Sequence, residues 1–124
     1  MTVIGRRKTG DSVWLHVDRK QLQQAITNII RHALKTMPDG GRVSVGAEKR
    51  DENFMVLIKD TGPAIPKDQL EKIFDPFYRY NEENRGLELA IAFSIIESHG
   101  GKISVESAAG SGNEFIIQLP IHES

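Results

Sequence analysis

With 124 residues, 39% of them hydrophobic, the chain can bury the core of one globular domain but not of two. Its 16 Lys and Arg residues and 17 Asp and Glu residues give a net charge of −1 at pH 7, which argues against binding to nucleic acid or to an anionic membrane surface. The lack of cysteine excludes disulfide scaffolds and cysteine-based zinc sites, and no apolar run approaches the roughly 20 residues of a membrane span. We therefore predict one cytoplasmic domain over residues 1–124, without direct membrane contact.

The first third of the chain predicts two short strands followed by a long amphipathic helix. Residues 2–4 and 13–17 are mostly apolar and flank a polar, glycine-containing turn, so each is predicted as a strand. Asp18 is the predicted N-cap of the helix, and Gln21 three residues later completes a capping box. The helix should end at residues 37–41, Met-Pro-Asp-Gly-Gly, because proline disfavours helical conformation at the preceding residue. One helix face is apolar at three- and four-residue steps: Leu22, Ala25, Ile26, Ile29, Ile30, Ala33 and Leu34.

The middle of the chain predicts a β-hairpin, a loop and a short helix. Residues 43–47 and 54–58 alternate between apolar and polar side chains and flank a polar loop, so the two strands should pair. Residues 60–66 are rich in glycine and proline and are predicted as a loop. Residues 67–74 are predicted as a short helix.

The last third predicts a second amphipathic helix and a final strand pair. Apolar positions over residues 87–96 indicate the helix, which should stop at His-Gly-Gly, residues 99–101, with glycine in the left-handed cap. Residues 103–105 and 115–119 supply the strands. The whole order predicts an α/β (α+β) fold, a two-layer sandwich in which a mixed, largely antiparallel sheet carries its helices on one face.

Four short segments stand out in order along the chain: Asn-Ile-Ile-Arg-His-Ala at 28–33, Asp-Thr-Gly at 60–62, Phe-Asp-Pro-Phe at 74–77 and Gly-Leu-Glu-Leu-Ala at 86–90. In this order they resemble the N, G1, F and G2 boxes of histidine-kinase ATP-binding domains, the GHKL or Bergerat-fold ATPases. A fifth segment, Gly-Ser-Gly-x-x-Phe at residues 110–115, extends the match over most of the chain. Residues 33–41 and the gap-free spacing from 77 to 89 resemble the short-lid pattern of the nitrogen-regulation-type sensor kinases.

The resemblance implies an ATP site and assigns residues to it. Asp60 would accept a hydrogen bond from the adenine amino group, and Gly62 would let the backbone approach the base. Asn28 and His32, one helical turn apart, would face the triphosphate and its Mg²⁺, so both stand at the metal position. Lys35 would be a counter-charge for the phosphates. The further ATP-binding positions implied are Arg31, Ile65, Phe77, Gly86, Leu87 and Asn113.

Most of these residues also have a purely structural explanation. Asp60 is compatible with an ordinary turn carboxylate, and Asn28 with a solvent-facing helix position. Phe74 and Phe77 are compatible with core packing as well as with docking of the lid. Lys35 is compatible with a cation that offsets the helix dipole.

Several residues depart from the family pattern on the phosphate and metal side. His32 stands where the family has a metal-binding asparagine, although Mg²⁺ prefers oxygen ligands. Ala64 replaces the second glycine of the G1 loop. Asn84 and Glu88 replace the outer glycines of the G2 box, and a carboxylate in the first turn of a helix competes with phosphate for its positive end. Residues 79–81, Arg-Tyr-Asn, replace a lid segment that carries a lysine.

Two functions are therefore considered. The first is the ATP-binding catalytic domain of a two-component sensor histidine kinase, which transfers the γ-phosphoryl group to a histidine on a separate domain in a phosphorelay. The alternative is a pseudokinase-type regulatory or protein-binding module with weak or no ATP binding. A serine kinase of the anti-sigma type shares the fold but is not expected to carry the Phe-Asp-Pro-Phe box.

The implied cofactors are ATP and Mg²⁺. The implied partners are the helical dimerisation and phospho-acceptor domain of the parent kinase and a response regulator, and the parent kinase itself is compatible with a membrane-bound sensor. None of the four histidines has the His-Glu-x-x-x-Pro context of a phospho-acceptor, so we expect no acceptor domain within residues 1–124. His16 and His99 are predicted as surface residues.

Overall fold

The computed structural model describes residues 2–6, 12–75 and 87–121. Within them the predicted order of strands and long helices is confirmed. The predicted short helix over residues 67–74 is wrong, because this segment is a series of turns closed by bonds such as Lys72 N–H to the Gln69 carbonyl, 2.8 Å. The elements are β1 Thr2–Arg6, β2 Ser12–His16, α1 Arg19–Lys35, β3 Val43–Arg50, β4 Asn53–Asp60, α2 Leu87–Ser98, β5 Lys102–Ala108 and β6 Gly112–Pro120.

The main sheet has four strands in the order β3-β4-β6-β5, and every neighbouring pair is antiparallel. Strand β6 lies between β4 and β5 because the chain leaves the sheet through α2 and returns on the far side. Strands β1 and β2 form a separate antiparallel hairpin, which is joined to the end of β6 by a bridge between Leu15 and Ile121. The predicted fold class is confirmed.

Both helices pack on one face of the main sheet. The inward positions of β6, Phe115, Ile117 and Leu119, are at most 1% exposed, whereas the intervening positions are half-buried. They form the core together with Ile29 of α1 and Leu89 of α2. Burying alternate side chains on one sheet face and a stripe on each helix removes apolar surface from water, at roughly 25 cal/mol per Å². This packing brings the C-terminal half of α1 alongside the start of α2.

The start of α1 and the end of α2 are joined by a histidine. Asp18 is the N-cap, as predicted, and its carboxylate accepts from the Gln21 N–H at 3.1 Å. The capping box is only half formed, because the Asp18 N–H donates to Nε2 of His99 at 3.0 Å. Since Nε2 accepts, Nδ1 carries the proton and donates to the Ile95 carbonyl at 2.7 Å. His99 is therefore a half-buried link between the helices, and its prediction as a surface residue is wrong.

The end of α2 is built as the glycine spacing predicts. Gly100 has φ +74°, the left-handed conformation that glycine adopts without steric cost. The next residue, Gly101, lies against β6, where an added Cβ would stand 2.5 Å from the Gln118 carbonyl oxygen. The two glycines therefore let the chain turn directly from α2 into β5.

Candidate functional site

Four polar side chains are buried in the described part of the chain: Asn28, His32, Asp60 and Asn113. Asn28 and His32 lie one turn apart on α1, Asp60 ends β4, and Asn113 lies opposite Asp60 on β6. Burial of polar groups costs free energy unless they are hydrogen-bonded. Their concentration at one end of the sheet, beside the C-terminal half of α1, marks this end as the candidate site.

The Asp60 carboxylate is held through one of its two oxygens. Its Oδ1 accepts from the Gly62 N–H at 2.8 Å and from Nδ2 of Asn113 at 3.0 Å. No described residue donates to Oδ2. Asp60 is only 2% exposed. Its Oδ1 is fixed by the two donors, so Oδ2 is held in one orientation as an acceptor.

Two glycines allow the backbone to close around Asp60. Gly112 has φ +75°, and an added Cβ would stand 2.0 Å from the Asp60 carbonyl oxygen. A Cβ on Gly62 would stand 2.9 Å from Oγ1 of Thr36 and 3.0 Å from Oδ1 of Asp60. Gly112 is thus required by the packing of the backbone, whereas a Cβ on Gly62 would displace neighbouring side chains, and the role of Gly62 in admitting a base stays a prediction.

The first turn of α2 is tied to α1 at the same place. Nδ2 of Asn28 donates to the Glu88 carbonyl at 3.4 Å, and Nζ of Lys35 forms an ion pair with Oε1 of Glu88. Oε2 of Glu88 is buried and has no hydrogen-bond partner among the described residues. Lys35, predicted as a counter-charge for phosphate, is therefore already paired with a carboxylate of its own chain.

His32 lies between these charges as a buried imidazole, edge-on to Phe115 with ring centroids 6.0 Å apart. Burial is the main cause that lowers the pKa of His32, the carboxylates of Glu88 and Asp60 raise it, Lys35 lowers it, and the net result is a lowered pKa. His32 is thus neutral at pH 7. It offers a nitrogen where Mg²⁺ prefers oxygen, so only Asn28, through its amide oxygen, fits the metal.

The lowered pKa of His32 makes stability depend on pH. As the pH falls below 6.5, the ordinary pKa of histidine, His32 binds a proton in the unfolded chain before it does so in the folded domain. The free energy of unfolding therefore falls as the pH falls from the pKa of the unfolded chain to the lower pKa of the folded domain. Above about pH 6.5 His32 no longer contributes to the pH dependence of stability. We expect His32→Asn to reduce this acid sensitivity, as measured by urea denaturation at a series of pH values.

The matched control for this prediction is His16→Asn, at an exposed histidine. It should retain the acid sensitivity of the unmodified domain. An unchanged pH dependence in His32→Asn would show that His32 titrates alike in the folded and unfolded states.

The other predicted site residues are not all brought to this place. Ile65 is buried beside the Asp60 loop, whereas Arg31 and Leu87 are exposed. Ala64 is exposed, and Asp51 is the only non-glycine residue with positive φ in the described ranges, so alanine fits the G1 loop without backbone strain. Phe77, Asn84, Gly86 and the lid positions 79–81 lie outside the described residues.

Phe74 packs in the core, which confirms the structural explanation for this residue. Its ring stacks on Phe93 with centroids 5.7 Å apart and meets Phe115 edge-on at 6.4 Å. The site also contains a residue that the sequence reasoning missed, Ser107, which bonds to Asn113 at 2.6 Å. The signal for it was present, since Ser107 follows Ile103 and Val105 at the inward positions of β5 and is the only polar residue of the three.

A family model described as histidine kinase-, DNA gyrase B- and HSP90-like ATPase matches residues 17–123. The chain belongs to this ATPase family. Within the family it is an ATP-binding catalytic domain of the sensor histidine kinase type, as its relatives show. No helix among the described residues is long and apolar enough to cross a membrane.

Sporulation kinase C of Bacillus subtilis is 35% identical over 114 residues, which are 92% of this chain and 27% of that protein. The catalytic domain of histidine kinase ThkA superposes with a TM-score of 0.79 at 31% identity, covering 93% of this chain and 75% of that one, and ThkA has also been solved with the response regulator TrrA. Full-length ShkA in complex with AMPPNP gives a TM-score of 0.73 at 28% identity, covering 84% of this chain and 22% of that one. The chain thus spans about a quarter of the length of sporulation kinase C.

Proposed function

We propose that residues 1–124 form one domain that binds ATP at the buried polar cluster and delivers the γ-phosphoryl group to a histidine of a helical phospho-acceptor domain. A response regulator would receive it next, in keeping with the ThkA–TrrA complex. Catalysis in such a transfer is mostly positioning and charge stabilisation. The proposal concerns the whole kinase, of which this chain resembles one part.

The observation that carries the proposal is the half-satisfied Asp60 carboxylate. A buried carboxylate that holds two protein donors on one oxygen and none on the other, among the residues the structure describes, can accept from an exocyclic amino group. Adenine presents such a donor, whereas guanine presents a carbonyl at the same edge and would leave two acceptors facing each other. His32 of α1 lies near enough to Asp60 for the carboxylate to raise the pKa of His32, and Asn28 lies one turn earlier on the same helix, where the phosphates would follow.

The site fits Mg²⁺ less well than it fits the nucleotide. When bound, the ion would neutralise charge on the phosphates, and Asn28 is the residue that would supply an oxygen to it. His32 offers a neutral nitrogen in place of a second oxygen. We infer that nucleotide binding depends only weakly on Mg²⁺.

Calorimetric titration of the domain with ATP, with Mg²⁺ and then with EDTA, tests both parts of the proposal. We expect saturable binding of one ATP, little change in affinity on removal of Mg²⁺, and a larger change in His32→Asn, which restores an amide oxygen. GTP should bind at least about tenfold more weakly than ATP. Absence of binding at millimolar ATP would refute ATP binding, and a strong Mg²⁺ dependence in the unmodified domain would refute the inference about the metal.

Phosphoryl transfer can be tested in a chimera in which residues 17–123 replace the matching segment of sporulation kinase C. Incubation with ATP labelled at the γ-phosphate should label the chimera, and the label should be acid-labile, as expected for phosphohistidine. The same chimera with Asp60→Asn is the control and should remain unlabelled. An unlabelled chimera whose grafted domain still binds ATP would contradict the transfer step alone.

A further inference from the structure

Three polar residues lie side by side across three adjacent strands at the candidate site. Ser107 of β5 lies opposite Asn113 of β6, and Asn113 lies opposite Asp60 of β4. All three occupy inward positions of their strands, in line with the apolar residues that form the core. The sheet register, which the backbone fixes, therefore places them in one row that ends at the Asp60 carboxylate.

The hydrogen bonds along this row all run in one direction. The Ile65 N–H donates to Oγ of Ser107 at 2.8 Å, and the Ser107 hydroxyl donates to Oδ1 of Asn113 at 2.6 Å. Nδ2 of Asn113 then donates to Oδ1 of Asp60 and to the Pro63 carbonyl, each at 3.0 Å. Both ends of the Asn113 amide are therefore matched: Oδ1 has the Ser107 hydroxyl as its donor, and the NH₂ group has two acceptors, of which Asp60 is one.

We propose that Ser107 is a positioning residue that sets the selectivity of the site for adenine over guanine. It fixes the Asn113 amide, which in turn occupies Oδ1 of Asp60 and leaves Oδ2 as the acceptor for the base. This inference rests on the proposed ATP binding. Ser107 would act through Asn113, and it also accepts from the Ile65 N–H.

Loss of the Ser107 hydroxyl leaves Oδ1 of Asn113 without its donor, so the amide is then held only through Nδ2, by Oδ1 of Asp60 and the Pro63 carbonyl. A buried amide oxygen without a donor is unfavourable, so the Asn113 side chain is expected to tilt and loosen the contact between Nδ2 and Oδ1 of Asp60. The Asp60 carboxylate would then be held less firmly, and Ile65 would lose the acceptor of its N–H. Oδ2 of Asp60, the acceptor for the base, would then no longer be held in one position.

The test compares Ser107→Ala with Ser107→Thr, which keeps the hydroxyl on a residue that strands accept well. Affinities of both variants for ATP and for GTP are measured by calorimetry. We expect Ser107→Ala to bind ATP about tenfold more weakly with little change for GTP, so that the ATP-to-GTP preference falls by about the same factor. Ser107→Thr should keep the preference of the unmodified domain to within about threefold.

A second readout needs no nucleotide. In ¹⁵N NMR spectra of the free domain, the side-chain NH₂ signals of Asn113 and the amide signal of Gly62 should shift in Ser107→Ala and return toward their original positions in Ser107→Thr. This readout also shows whether each variant is folded.

The outcomes separate the inference from the proposed function. An unmodified domain that binds neither nucleotide would overturn ATP binding and the selectivity role together. If the unmodified domain prefers ATP and folded Ser107→Ala keeps the same preference, or loses ATP and GTP affinity equally, the positioning role of Ser107 is overturned while ATP binding stands.

Discussion

Replacing Asp60 with asparagine is expected to weaken ATP binding by about 100-fold or more while leaving the domain folded. The amide oxygen of the introduced side chain can take the place of Oδ1 and keep the bonds from Gly62 and Asn113. Its NH₂ group must then take the place of Oδ2, where it would face the amino group of adenine. Two buried donors facing each other lose a hydrogen bond and leave both groups unsatisfied, at a cost of about 2–5 kcal/mol.

Calorimetric titration with ATP, together with thermal unfolding, measures the two halves of this expectation. The matched control is Asp68→Asn, the same chemical change at an exposed residue outside the buried cluster. It should leave ATP affinity unchanged to within about twofold. If Asp60→Asn binds ATP as well as the unmodified domain does, Asp60 is only a turn residue, which is the structural explanation considered from the sequence.

The backbone of the site follows from local signals in the sequence. Alternation of apolar residues gives β4 and β6, and Gly110 and Gly112, both with positive φ, mark the turn between β5 and β6. The Asp18 N-cap was likewise predictable, because its partner lies three residues away. Such features depend on neighbours in the chain, and the pattern of residue types is enough to locate them.

The features that sequence reasoning missed join residues far apart in the chain. His99 and Asp18 are separated by 81 positions, and Lys35 and Glu88 by 53. The half-formed capping box shows how such a contact replaces a local one. The Asp18 N–H can donate one strong hydrogen bond, and it donates to His99 rather than to the side chain of Gln21. The prediction of a helix over residues 67–74 was wrong because a few apolar residues in a short stretch are as compatible with a series of turns as with a helix.

The pairing of Glu88 with Lys35 leads to the second large expected effect: Glu88→Gln should raise ATP affinity by about tenfold. The glutamine keeps the size of the side chain and removes a negative charge from the first turn of α2, beside Asn28 and His32. It also releases Lys35 from its ion pair. Thermal stability should fall slightly, because a carboxylate at a helix N-terminus stabilises the helix by about 0.3–1 kcal/mol.

The control for the charge change is Glu97→Gln, at an exposed residue near the opposite end of α2. It removes the same charge from the same helix and should leave ATP affinity unchanged. The opposite signs for affinity and stability in Glu88→Gln are the distinctive result. No gain in ATP affinity would show that Glu88 does not compete with phosphate.

A double-mutant cycle with Lys35→Met shows how the gain arises. The ion pair itself contributes at most about 1 kcal/mol to stability, because the Lys35 side chain is 50% exposed, so breaking it leaves the fold intact. If the released lysine contacts the phosphates, Glu88→Gln should gain much less affinity in the Lys35→Met background than in the unmodified one. Equal gains in both backgrounds would mean that Glu88 acts by charge alone. The cycle therefore decides whether Glu88 holds Lys35 away from the nucleotide or only repels the phosphates.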